Sequence, residues 1–175
     1  TGLMQTRTMD VRVHPYIVHF SVGLIVASVA LFLVAAVFRR RPWSVSVLHA
    51  ARWNLWIGAA CALASIGTGF VDYISTPCDA AAIEATVLHR RSGAVTWWSS
   101  LIAGIAVYRT RQRPPGGLLM GWLLFVALAA MTAARLGTDL TYDRGLGVPS
   151  AWPDDTAACF ELERQPPATR APPPT

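Results

Sequence analysis

The stretch from Tyr16 to Phe38 runs 23 residues without a formal charge and is closed by Arg39, Arg40 and Arg41. At about 1.5 Å rise per residue, a helix of that length covers about 35 Å, enough to cross a ~30 Å hydrocarbon layer with some tilt. His19 is the only ionisable side chain inside it. A histidine near the mouth of a membrane helix costs free energy unless something satisfies it, which marks it as a candidate functional residue.

Composition fits a membrane chain, with 53% of the residues hydrophobic and 14% charged, against about 25% charged in soluble domains. All 15 basic side chains are arginine. Without lysine, no Schiff base to retinal or pyridoxal phosphate can form. Three further apolar segments follow, at about Val45 to Tyr73, Gly93 to Tyr108 and Leu118 to Ala134. The last two are short and need amphipathic flanks to complete a crossing. Asp79 is placed to cap a helix that starts at Ala80 and carries Glu84 and His89 toward the membrane. Pro114, Pro115, Gly116 and Gly117 break the chain between the third and fourth helices.

The fold expected is therefore an all-α, integral membrane four-helix bundle over 13–148. It is preceded by a short segment, 1–12, and followed by an extended proline-rich tail, 149–175. The first ten residues lack the pattern of a removable signal peptide, so the first helix is expected to insert by itself. The segments Arg39 to Arg52 and Arg109 to Arg113 contain seven arginines and no acid, while all ten Asp and Glu residues lie on the other side. Arginine in short loops stays cytoplasmic, which predicts periplasmic N- and C-termini in a bacterial inner membrane. It also assigns the +5 charge to membrane edges and leaves no argument for nucleic acid. Trp43, Trp53 and Trp56 are expected near the inner edge, and Trp97 and Trp98 near the outer one. The tail cannot bury apolar surface by itself and is expected to gain order against a partner, as in a larger membrane complex.

Three of the four histidines, His14, His19 and His89, fall at the outer mouth, and His49 stands alone inside. His14 and His19 are five apart, about 140° around a helix, so one of them faces the bundle. A b-type haem wants two imidazoles from different helices and positive groups near its propionates. His19 and His89 are the candidate iron ligands, with Gly23 and Gly93 one turn inward leaving room for a ring and Arg90 and Arg91 beside the propionates. If His89 lies too shallow to face His19, His14 is the better partner. Histidines that merely cap helices or bond Asp72, Asp139 or Tyr142 are the competing reading, and a metal or quinone site is a third. Asp72 is expected to pair with Arg135 or to relay protons to a quinone. Cys78 and Cys159 both fall on the oxidising side and are candidates for a disulfide, whereas Cys61 is a small buried residue.

His14-Pro15 followed by Val18-His19-Phe20, Gly67 and Gly69 with Asp72, His89, and Tyr142 with Gly145, Gly147 and Val148 resemble the bacterial four-helix membrane family catalogued as domain of unknown function 2231. The resemblance runs from about Val13 to Val148. It departs at Ser21, where proline is expected, and at Thr138-Asp139, where a glycine pair is usual. It implies the topology and a role for the outer histidine cluster, and it confers no reaction. Two functions are therefore carried forward. One is a b-haem or quinone-associated subunit of a respiratory or photosynthetic electron-transfer complex; the other is a cofactor-free accessory subunit packed on other subunits in the lipid.

Overall fold

The computed structural model describes residues 13–110, 113–146 and 157–166. The expected segment 1–12 and most of the tail lie outside the described residues. Four long helices, α1 (His14–Val37), α2 (Ser44–Ser75), α3 (Ala80–Arg109) and α4 (Gly117–Tyr142), are followed by a single short turn of helix, α5 (Cys159–Arg164). The chain is an all-α bundle with no strand among the described residues.

Local chemistry explains where the helices start. Pro15 occupies the first turn of α1, where the N–H it lacks would have had no helical partner. Asp79 caps α3 by accepting the backbone N–H of Ala82 at 2.7 Å. The Pro114-Pro115-Gly116 stretch separates α3 from α4.

Consecutive helices pack side by side, and α4 closes the ring against α1, which leaves α1 and α3 diagonally opposed. Along the α1–α2 seam, Ser21 Oγ donates to the Gly58 carbonyl at 3.1 Å and Ser28 Oγ to that of Ala51 at 2.8 Å. Ser44 Oγ donates back to Ala35 at 3.1 Å. In lipid a hydroxyl without a partner is costly, so these bonds fix how the two helices are phased. At Gly58 a Cβ would lie 2.9 Å from Ile25 Cγ1 and 3.2 Å from its backbone nitrogen, so the close approach requires glycine there. Replacing Ser28 by alanine should therefore lower stability by about 0.5–1.5 kcal/mol, read as a shift in a thermal or denaturant titration of the detergent-solubilised protein.

The large core residues Ile25, Val29, Phe32, Leu48, Leu55, Val107, Leu123 and Val126 fill one half of the bundle, toward the arginine end. A second cluster at the opposite end joins Tyr73, Cys78, Ala82, Ile83 and Cys159. Between them, at the level of Ser21, the buried residues are small: Ala62, Ser65, Thr96 and Ala130.

Helices α1, α2 and α4 are long and apolar enough to cross a membrane. Helix α3 is not among them, because Glu84, Arg90 and Arg91 make its first half polar. Its second half is built inside out for lipid: Val95, Trp98, Ile102 and Ile105 point outward, while Thr96, Ser99, Ser100 and Ala103 are buried. Trp97 and Trp98 lie nearer the arginine end of α3 than its start, deeper than expected for an outer belt.

Candidate functional site

At the end of the bundle away from the arginine loops, all four helices contribute to one cluster. His14 is the first residue of α1, Thr68 and Gly69 lie near the end of α2, His89 is nine residues into α3, and Ala133 and Gly137 lie near the end of α4. The His14 and His89 rings face each other from the two diagonal helices, with centroids 6.4 Å apart and planes at 84°. His89 therefore meets His14, and His19 takes no part. The His19 Nδ1 bonds the carbonyl of its own Pro15 at 2.6 Å, and its side chain points out of the bundle.

Hydrogen bonds hold each ring through Nδ1. The Thr68 hydroxyl gives its proton to the backbone, at 3.1 Å from the Ala64 carbonyl and 3.3 Å from that of Ser65. It can then only accept from His14 Nδ1, which lies 3.1 Å away. The Ala133 carbonyl likewise accepts from His89 Nδ1 at 3.0 Å. Both rings are thus held through Nδ1, and the Ser65 backbone is a further hydrogen-bond partner of His14. Metal-ligating imidazoles are commonly held this way, by a bond to the nitrogen that does not ligate.

Two glycines seat the rings. A Cβ at Gly69 would stand 2.8 Å from His14 Cε1, and one at Gly137 would stand 2.9 Å from His89 Cε1. We expect Gly69→Ala or Gly137→Ala to displace the adjacent ring and cost about 1–3 kcal/mol. Gly67→Ala, which meets nothing within 4 Å, should instead be neutral or gain up to about 1 kcal/mol. Thermal midpoints of the three variants check this.

The other residues expected at the site fall elsewhere. Gly23 is exposed and faces away from the cluster, whereas Gly93, one turn below His89, is half-buried with no atom within 4 Å of where its Cβ would be. Arg90 is engaged by the tail: its Nη1 pairs with Glu163 Oε2 at 3.3 Å, and its guanidinium lies 4.5 Å from the Tyr73 ring centroid. The Tyr73 hydroxyl donates to the same carboxylate oxygen. Arg91 is exposed. Arg135 pairs with Asp139 one turn along its own helix, at 2.9 Å, and not with Asp72. Spacing explains the exchange, since an i,i+4 partner on the same helix is reached without crossing the mouth. The charge of Asp72 acts on His14 instead.

Cys78 and Cys159 form a disulfide, with Cα atoms 5.1 Å apart. Backbone bonds reinforce it, from Cys78 N–H to the Ala157 carbonyl at 3.2 Å and from Cys159 N–H to that of Thr76 at 2.9 Å. Together with the Phe160 ring against Tyr73, they fasten α5 beside the histidine end of the bundle.

The family model described as a predicted membrane protein, DUF2231, matches residues 11–150. The chain belongs to that family. No curated protein and no solved structure matches it. The matched region of this domain of unknown function contains His14, Gly69, His89 and Gly137, while Cys159 and α5 lie beyond it.

Thr68, Ala133, Gly137, Tyr73 and Glu163 carry no signal in the sequence, and Gly69 enters it only through the family resemblance, without a role. A signal for the right histidine was present. His14, Ser21, Ser28 and Ala35 recur every seven residues on α1, and the last three are buried. His19 falls off that stripe.

Proposed function

We propose that this chain is an integral membrane electron-transfer subunit that holds one b-type haem between His14 and His89. The facing pair of imidazoles, each held through Nδ1, carries the reading. An imidazole nitrogen bonds a transition metal at about 2.0–2.1 Å and a ring centroid lies about 1 Å behind its nitrogen, so rings ligating one metal from opposite sides stand about 6 Å apart. The observed 6.4 Å fits that spacing. The open space at Gly93, one turn below His89, favours a flat occupant. When bound, haem supplies a one-electron couple. The chain's own part is to hold the rings through Thr68 and Ala133, to seat them on Gly69 and Gly137, and to cover the mouth with α5. Arg91 is the cation left exposed near the mouth for a propionate, since Arg90 is engaged by Glu163.

In this reading all four helices cross a bacterial inner membrane, with both termini periplasmic. The seven arginines at the opposite end support that orientation. So does the disulfide, which belongs to an oxidising compartment. The exposed apolar surface left for lipid and the clasped tail suit a subunit of a larger respiratory or photosynthetic complex.

The test is a reduced-minus-oxidised difference spectrum of the protein purified from membranes supplied with a haem precursor. We expect b-type bands at about one haem per chain, and their absence would overturn the assignment. The second reading, a cofactor-free accessory subunit, draws on the same 6.4 Å, which also lies within the range of a direct edge-to-face ring contact. It predicts a colourless protein whose stability is unaffected by added haem.

A further inference from the structure

At the arginine end, α2 and α3 leave a cavity of about 430 Å³ lined by Arg52, Trp56, Tyr108 and Arg109. We infer that this cavity binds a phosphate group, with Arg52 as its fork and Arg109 as the second cation. The inference is independent of the haem reading.

Arg52 Nε and Nη2 are shut off from solvent and have no hydrogen-bond partner, and they are the only buried side-chain polar atoms so left among the described residues. A buried donor without an acceptor is rare enough to need an explanation. These two nitrogens form the edge of the guanidinium whose parallel N–H bonds match two oxygens of a phosphate or carboxylate, and a turn of the half-buried side chain would bring that edge into the cavity. No carboxylate among the described residues lies at this end. The segments 39–52 and 109–113 contain no acidic residue, and the two ion pairs described for Arg90 and Arg135 lie at the other end.

The location favours a phosphate carried by lipid. Arg52 lies eight residues into α2, about 12 Å along a helix of about 48 Å that is longer than the ~30 Å hydrocarbon layer, which puts it near the hydrocarbon edge. Trp56, one turn further in, packs its indole beside Gly104 of α3, where a Cβ would be 3.4 Å from the ring. That gives the cavity an apolar wall below two cations. Basic pockets between membrane helices on the arginine-rich face suit anionic lipid headgroups, and aromatic rings suit the interface.

The experiment uses the full chain in neutral detergent and native mass spectrometry with equimolar phosphatidylglycerol and phosphatidylcholine, with inorganic phosphate as a separate arm. We expect the protein to retain phosphatidylglycerol preferentially. Arg52→Gln should weaken that retention at least tenfold, and Arg52→Lys, which keeps the charge and loses the fork, should fall between. Displacement of phosphatidylglycerol by millimolar inorganic phosphate would keep the site and assign it to a soluble phosphate. Equal retention of the two lipids with no response to inorganic phosphate, or an Arg52→Gln protein that still selects phosphatidylglycerol, would overturn it. If Arg52→Gln does not fold, the wild-type competition together with Arg109→Gln decides.

Discussion

Replacing His14 or His89 by alanine is expected to abolish the b-type difference spectrum, whereas His19→Ala should leave it intact. The three residues separate cleanly because they have different partners. His14 and His89 face each other across the bundle, each held through Nδ1. His19 is turned outward and bonded to its own helix through Pro15. Thr68→Val is the finer version of the same test. It keeps the volume and removes the acceptor for His14 Nδ1, so binding should weaken by about 10–100-fold while the fold persists. A spectrum that survives in His14→Ala and disappears in His19→Ala would show that the wrong face of α1 has been assigned to the site.

The second large effect is expected at the disulfide. Cys78 and Cys159 are 81 positions apart, and their bond closes a loop that contains α3 and α4. Opening a loop of that size typically costs about 2–4 kcal/mol, which for a chain of this length lowers the thermal midpoint by roughly 5–15 °C. Helices that persist in the denatured membrane state keep the figure toward the lower end, because less chain is freed. Cys159→Ser should also undock α5, removing Glu163 from Arg90 and Tyr73 and speeding tryptic cleavage after Arg164. Tail cleavage that is no faster in Cys159→Ser than in the native protein would refute the clasp. After reduction in intact cells, a membrane-impermeant thiol reagent should reach both cysteines from outside, which checks the orientation at the same time.

Much of this fold is legible in the chain. Charge-free runs mark the helices, the Pro-Pro-Gly break separates two of them, and Asp79 marks the start of α3. The angle between His14 and His19 already requires that only one face the bundle. Which one does so is carried only by a thin signal, the seven-residue recurrence of His14, Ser21, Ser28 and Ala35 on an otherwise apolar helix. Its phase comes from Ser21 and Ser28 reaching carbonyls of α2, a tertiary fact. The depth of His89 is the better guide: Arg90 and Arg91 put it at the shallow end of α3, level with His14 and not with His19, and Arg90 is held there by a carboxylate from 73 residues away. The rings are seated by residues on the neighbouring helix and not by the glycines next to a histidine in sequence. Gly69 and Gly137 are such residues, and only the packing reveals that role.

The two imidazoles also belong to different hairpins. His14 leans on Gly69 within α1–α2, and His89 leans on Gly137 within α3–α4. A group bridging the rings, as proposed, would therefore rivet one half of the protein to the other. Separately expressed halves, each able to insert alone, should find one another more tightly in the presence of that bridge than without it.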